Sequence, residues 1–194
     1  EENRATTRSF WVSHGAPEDG KVAIADLCSR NIYPGCSMAL NFKLLQLATP
    51  IPSCAVMHDW WIALLARAAG SIDVVVPRSV YYRQHDANVI GATHLFSVAA
   101  GFLKPSPRNG APEFYATFIQ AQAVVDRLSE RMMTQSGYAE VRTYTQLIRM
   151  SLVERVITAA NLGIRSNHVG LKLVFLSRLV LSSLLNYQHK ADIH

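Results

Sequence analysis

A segment rich in proline and glycine, from Lys104 to Pro112, divides this 194-residue chain into two parts with different apolar patterns. Before it, short apolar runs that suit β-strands alternate with helical stretches. After it, apolar residues recur about every 3.6 positions, the spacing of one face of an α-helix. We therefore predict an α/β part at residues 1–103, a linker at 104–112 and an α-helical region of about three helices at 113–194.

The first part combines short strand candidates with two helices. The residues before 30 suggest weak strands and a turn at 15–20, where glycine, proline and aspartate cluster. Apolar runs and alternation then predict strands at Cys36–Leu40, Ile72–Val76 and Val80–His85. Helical patterns predict a short helix from Phe42 to Leu47 and a longer one from Asp59 to about Ala69, which Gly70 would end.

The second part predicts three helices, at Glu113–Gln135, Tyr138–Leu162 and Val169–Tyr187. The last contains an apolar run, Leu171 to Leu185, that is shorter than the roughly 20 residues a bilayer core requires. Two interpretations stay open. It is a core helix, or it lies on an anionic membrane with Lys172, Arg178 and Lys190 near the headgroups.

Composition narrows the class of protein. The chain is 49% hydrophobic and 17% charged, which is typical of a globular protein. Its net charge of +5 allows contact with nucleotide phosphates or acidic lipids, but no dense run of Lys and Arg indicates nucleic-acid binding. Cys28, Cys36 and Cys54 form no Cys-x-x-Cys pair, which argues against a disulfide framework and a structural zinc site. A reducing compartment fits this cysteine usage best.

One short segment, Met57-His58-Asp59-Trp60-Trp61, suggests a ligand site. It places a carboxylate and two indoles at the start of a predicted helix. Aspartate is a favoured N-cap, so a cap beside two buried indoles is one interpretation. The other is a sugar site, because a carboxylate binds hydroxyl groups and indole faces pack on sugar rings.

Three segments in the same order carry a family resemblance. They are Asn-x-x-Pro-Gly-Cys-Ser-Met-x-Leu-Asn from residue 31, Met-His-Asp-Trp-Trp from residue 57, and Tyr-Tyr-Arg-Gln-His-Asp-x-Asn-Val-x-Gly from residue 81. Residues 31–92 resemble the C-terminal half of family-2 inverting glycosyltransferases of the GT-A fold. The likeness is to bacterial enzymes, including rhamnosyltransferases, that build O-antigen and other surface polysaccharides. Three co-linear motifs are more specific than any one alone.

The resemblance implies roles for individual residues. Asp59 matches the catalytic base that takes the proton of the acceptor hydroxyl. Trp60 and Trp61 would line the acceptor site, with one of the two indoles in the core. His58 would either hydrogen bond to the acceptor or cap the helix. His85 matches a position that contributes a metal ligand, for Mg²⁺ or Mn²⁺, or a diphosphate contact. The remaining implied substrate contacts are Gly35, Cys36 and Ser37 on one segment, and Arg83, Gln84 and Asn88 on another.

The chain departs from this family in one respect. It contains no Asp-x-Asp motif and no counterpart of the nucleotide-binding strands. We therefore expect the acceptor-side part of a GT-A domain, without its donor-binding half, and no activity from this chain alone.

The whole enzyme is expected to transfer a sugar from a nucleotide-sugar to a glycan or lipid-linked acceptor, with inversion. It would act in the cytoplasm, with possible peripheral contact at the inner face of the plasma membrane. The alternative is a non-catalytic remnant that binds glycan or scaffolds partners.

Overall fold

The computed structural model describes residues 10–13, 16–17, 19–75, 111–128, 136–162, 175–177 and 179–180. Helix accounts for 68% of this part, and none of it forms a β-strand. The prediction of an α/β domain of the GT-A fold is therefore wrong for the residues that the structure describes.

Helices follow one another along these residues. The α-helices are α1 (Phe10–Ser13), α2 (Ile24–Ser29), α3 (Phe42–Ala48), α4 (His58–Ala69), α5 (Ala111–Arg127), α6 (Ser136–Gln146) and α7 (Leu152–Asn161). Single turns of 3-10 helix occupy Gly35–Ser37 and Leu147–Arg149. Residues 175–177 and 179–180 are also helical.

Among the first thirty residues, the described ones form the helices α1 and α2 and no strand, so the prediction of weak strands is wrong there. The predicted turn, in contrast, is confirmed. The Gly20 N–H donates to the Pro17 carbonyl at 3.0 Å, and Gly20 has a φ of +66°. This conformation favours glycine, because a Cβ atom strains the left-handed region.

The strand predictions fail where an apolar pattern has no partner. Cys36–Leu40 begins within a 3-10 turn, and Met38, with φ −104° and ψ 140°, is extended without a pairing strand among the described residues. Residues 71–75 have no regular structure, and Val75 is 81% exposed, so the run Ile72–Val76 is not a buried strand as far as it is described. Val80–His85 lies outside the described residues.

The two helices predicted in this part are confirmed, and α4 forms the centre of the core. The Asn41 side chain caps α3 by accepting from the Leu44 N–H at 2.9 Å. Helix α4 ends at Ala69, with Gly70 as its C-cap, and packs against α2, α3, α5 and α6. Its buried positions surround most of the helix, which explains why it touches four neighbours: Asp59, Trp60, Trp61, Ala63, Leu64, Leu65 and Ala68.

The described residues of the second part are largely helical as predicted, with different boundaries. Helix α5 begins at Ala111, two positions inside the predicted linker. The single helix predicted at Tyr138–Leu162 is divided, because Met150 is extended and Ser151 caps the new helix α7.

The last predicted helix contributes to the core where it is described. Phe175 and Leu179 are buried, and the Phe175 ring lies 5.9 Å from that of Phe114. The core interpretation therefore holds at these two positions. Among the described residues, no helix has the length and apolar character needed to cross a membrane.

Candidate functional site

The carboxylate of Asp59 lies in the first turn of α4 and is held by three donors. Its Oδ1 accepts from the Asn31 side-chain amide at 3.1 Å and from the Trp60 N–H at 2.8 Å. Its Oδ2 accepts from the Gly35 N–H at 2.9 Å. Met57 occupies the N-cap position, so Asp59 does not cap α4 but joins it to the preceding loop.

The turn at Gly35–Ser37 therefore packs directly on the start of α4. A Cβ atom at Gly35 would lie 3.2 Å from the Asp59 Cβ and 3.3 Å from the His58 Nε2. These distances are tight, so glycine suits this close approach. Gly35, Cys36, Ser37 and His58 are all exposed around the buried Asp59. The first two motifs, 24 residues apart at their contact, form one surface.

Both indoles point away from this surface and into the core. Trp60 and Trp61 are buried, and their Nε1–H groups donate to the carbonyls of Leu27 and Ala48 respectively. The Arg127 guanidinium lies 5.4 Å from the Trp61 ring. Neither ring is open to a sugar in this structure. One indole was expected in the core, and the other was expected to line the acceptor site.

The third motif lies outside the described residues. This applies to Arg83, Gln84, His85 and Asn88, so neither their substrate contacts nor a metal ligand at His85 is placed. Within the described part of the chain, no three His, Cys, Asp or Glu side chains come close enough together to bind a metal ion. The three cysteines are free, and Cys36 is exposed.

A small polar cavity lies at the opposite end of α4. Its lining includes Arg67, Gly70, Ser136 and Glu140, and its volume is about 60 Å³. Ligand pockets usually measure about 300–1,000 Å³, so this space suits a water molecule or two and not a sugar nucleotide.

Asn31 is the residue of this surface to which the sequence assigned no role. It donates from Nδ2 to Asp59, while its Oδ1 accepts from the Tyr33 N–H at 3.1 Å. The Tyr33 hydroxyl in turn donates to the Gly20 carbonyl at 2.8 Å. The available signal was its place at the start of the first motif, three positions before the Pro-Gly turn.

Comparisons with protein-family models, curated proteins and solved structures found no match to this chain.

Proposed function

We propose that this chain supplies the acceptor side of an inverting glycosyl transfer, with Asp59 as the general base. The proposal rests on the three co-linear motifs and on one local observation, the hydrogen bond that brings Gly35 of the first motif onto Asp59 of the second. It does not rest on the overall architecture, which is helical where an α/β domain was expected.

Asp59 has the hydrogen-bonding capacity that a base needs. A carboxylate offers about four lone-pair directions, and three are used by Asn31, Trp60 and Gly35. The fourth direction can accept a hydrogen bond from a hydroxyl group of the acceptor sugar. The backbone N–H groups of Gly35 and Trp60 hold the carboxylate in place. As the sugar oxygen attacks the anomeric carbon of a nucleotide-sugar, its proton passes to Asp59 and the nucleotide leaves from the opposite face.

The exposed groups around Asp59 give the acceptor a place to bind. Ser37 and His58 are exposed, and their hydroxyl and imidazole groups can hydrogen bond to sugar hydroxyls. Because both indoles are buried, the acceptor would be held by polar contacts and not by stacking. This differs from the role that the family resemblance implied for Trp60 and Trp61.

A second candidate is a non-catalytic module that binds glycan or scaffolds partners. The observation that favours it is the engagement of Asp59, which joins α4 to the loop at residues 31–35. In that case the carboxylate is structural, and the exposed turn is a binding surface without chemistry.

The test is sugar transfer by the whole enzyme that the sequence predicts, with its donor-binding half, and by the Asp59→Asn variant of that enzyme. Radiolabelled UDP-glucose, UDP-galactose, GDP-mannose and dTDP-rhamnose serve as donors, and bacterial membranes supply the acceptors. Asparagine cannot take the proton, so transfer should fall by at least ~10²-fold. Its NH₂ group also faces either the Gly35 N–H or the donors of Asn31 and Trp60, so about 1–3 kcal/mol of stability should be lost.

A matched control separates chemistry from stability. Gly137→Ala places a Cβ atom 2.6 Å from the Arg67 carbonyl, at the far end of α4, and leaves Asp59 intact. Assayed below both unfolding temperatures, it should retain transfer. Normal transfer by a folded Asp59→Asn variant would sink the base assignment. Equal loss in both variants would favour the structural alternative.

A further inference from the structure

The two oxygens of the Asp59 carboxylate have different numbers of hydrogen-bond partners. Oδ1 accepts from two donors, the Asn31 side-chain amide at 3.1 Å and the Trp60 N–H at 2.8 Å. Oδ2 accepts from one donor among the described residues, the Gly35 N–H at 2.9 Å. Each carboxylate oxygen offers about two lone pairs. Both lone pairs of Oδ1 are therefore used, and the free lone pair belongs to Oδ2.

The orientation of the Asn31 amide keeps Oδ1 of Asp59 occupied. The Tyr33 backbone N–H can only donate, and it donates to the side-chain oxygen of Asn31 at 3.1 Å. A flip of the Asn31 amide would set its NH₂ group against this N–H and its oxygen against the carboxylate, and unpaired polar groups are costly. The NH₂ group of Asn31 is therefore held toward Asp59, and the difference between the two carboxylate oxygens is a stable feature of the loop.

Gly35 leaves a gap between the side chains of Asp59 and His58. A Cβ atom at residue 35 would lie 3.5 Å from the Asp59 Oδ2 and 3.3 Å from the His58 Nε2. The backbone of Gly35 does not have the left-handed φ that Gly20 has, so its conformation alone does not require glycine. Because Gly35 and His58 are exposed, the gap beside Oδ2 lies at the surface.

His58 forms the other side of the gap and is available to a ligand. The N-cap of α4 is Met57, and no side chain caps this helix. The imidazole of His58 is therefore not used as a cap, which was one of its two expected roles. A hydroxyl group that reaches Oδ2 past Gly35 comes close to the His58 Nε2, which can bind the same sugar.

We propose that the acceptor hydroxyl reaches Asp59 through this gap, so that Oδ2 takes the proton and Gly35 determines which groups can approach it. This inference rests on the glycosyl-transfer function proposed above. The acceptor oxygen forms a bond to the anomeric carbon of the nucleotide-sugar. The bond from that carbon to the nucleotide diphosphate breaks, and its electron pair leaves with the diphosphate. The proton of the hydroxyl passes to Oδ2, while Oδ1 keeps its two donors.

The substitution Gly35→Ala tests this approach, because it fills the gap and keeps the Gly35 N–H. The nearest atom to the new Cβ, the Asp59 Cβ, would lie 3.2 Å away, so the neighbouring side chains need to shift only slightly. The whole enzyme that the sequence predicts is assayed with the four radiolabelled nucleotide-sugars and with bacterial membranes as acceptors. The amount of acceptor needed for half-maximal transfer should rise at least about tenfold, the usual effect of a methyl group added to a close contact. The nucleotide-sugar concentration needed for half-maximal transfer should stay unchanged.

The matched control is Gly137→Ala, which adds the same methyl group at the far end of α4, 2.6 Å from the Arg67 carbonyl. It shows whether a loss of stability alone changes transfer. Below the unfolding temperatures of both variants, it should need the same amount of acceptor as the unchanged enzyme. Urea denaturation measures the stability of the two variants, and circular dichroism verifies that both keep their helices.

The outcomes separate this inference from the proposed function. An unchanged acceptor requirement in Gly35→Ala would overturn the approach through the gap and leave Asp59 as the base. An equal rise in the donor and acceptor requirements, or an equal effect of Gly137→Ala, would also overturn it, because the cause would then be a general disturbance. Normal transfer by a folded Asp59→Asn variant, in contrast, would overturn the proposed function and this inference with it.

Discussion

Because Gly137 has no side chain, two helices can approach each other closely at this position. It lies near the start of α6, and a Cβ atom there would sit 2.6 Å from the Arg67 carbonyl and 3.2 Å from the Ala68 Cα. Both are backbone atoms, so no flexible side chain can move aside. The absence of a side chain at residue 137 therefore sets the distance between α6 and the C-terminal turn of α4.

We expect Gly137→Ala to lower the free energy of unfolding. Forcing the two backbones apart should cost about 1–3 kcal/mol, and improved helix propensity should return no more than about 1 kcal/mol. Urea denaturation measures the difference. Ala139→Ser adds an atom at an exposed position of the same helix and should stay within about 0.5 kcal/mol of the unchanged chain. A Gly137→Ala variant as stable as the control would contradict the close approach.

The site was predictable in part at the scale of single residues. The motif order marked Asp59 and Gly35, and the structure brings them together. Which way the indoles point was not predictable. Tryptophan packs in cores and on sugars for the same reason, its large apolar ring. Only the positions of the Leu27 and Ala48 carbonyls, distant in sequence, decide between the two.

The stability of helix α7 depends on its first turn. There a capping box supplies hydrogen-bond partners for backbone N–H groups that have none within the helix. The Ser151 N–H donates to the Glu154 carboxylate at 2.9 Å, and the Ser151 hydroxyl accepts from the Glu154 N–H at 3.4 Å. The hydrogen bonds from the Ser151 backbone, and then from its hydroxyl, lower the pKa of Glu154 below its usual 4.5. Ionised Glu154 is thus favoured in the folded helix.

This shift gives α7 an acid-sensitive cap. A lowered pKa stabilises the folded state above the unfolded value near 4.5, and that contribution is lost as the pH falls through the folded value. Glu154→Gln should therefore be less stable than the unchanged chain at about pH 7, and the difference should shrink at about pH 3.5. Hydrogen exchange of the α7 amides measures it. Asp73→Asn controls for the loss of one exposed negative charge. If the stability difference between Glu154→Gln and the unchanged chain did not depend on pH, the lowered pKa of Glu154 in the cap would be contradicted.

Helices were more predictable than strands because a helix pairs its backbone locally. The 3.6-residue pattern and Gly70 were sufficient to predict α4. For α3, Asn41 is the N-cap at the start of the helix. A strand requires a partner elsewhere in the chain, and a short apolar run such as Ile72–Val76 carries no information about one. The break before α7 was missed, although Ser151 and Glu154 have the spacing of a capping box.

At the scale of the whole molecule, the described helices share a core in which the ionisable groups of Tyr144 and Cys28 are fully buried. Tyr144 stacks on Phe118 at 4.7 Å between centroids, and its hydroxyl lies 3.0 Å from the Thr117 hydroxyl. Burial, and then the nearby Cys28, raise the pKa of Tyr144 far above its usual 10.0. Burial, and then Glu140, raise the pKa of the Cys28 thiol well above its usual 9.0. Neither group can ionise without opening the packing of α2 against α5 and α6.

From these raised pKa values we expect the free energy of unfolding to fall in alkaline solution. A raised pKa stabilises the folded state fully below the unfolded values of 9.0 and 10.0, and the contribution is lost as the pH rises beyond them. Each such proton contributes up to about 1.4 kcal/mol per pH unit. The substitution Tyr144→Phe removes one of these two titrating groups. The Thr117 hydroxyl still donates to the Phe114 carbonyl at 2.7 Å, so the variant leaves no buried donor unpaired.

Urea denaturation at several points between about pH 8 and about pH 11 tests this expectation, because the slope of unfolding free energy against pH counts the protons that differ between the two states. The unchanged chain should lose stability across that range, and Tyr144→Phe should lose it less steeply. Gly137→Ala, which is less stable but keeps both groups, should retain the original slope. Parallel curves for Tyr144→Phe and the unchanged chain would mean that the Tyr144 hydroxyl already reaches solvent. The packing of Tyr144 between Phe118 and Phe175 would then differ from the one described.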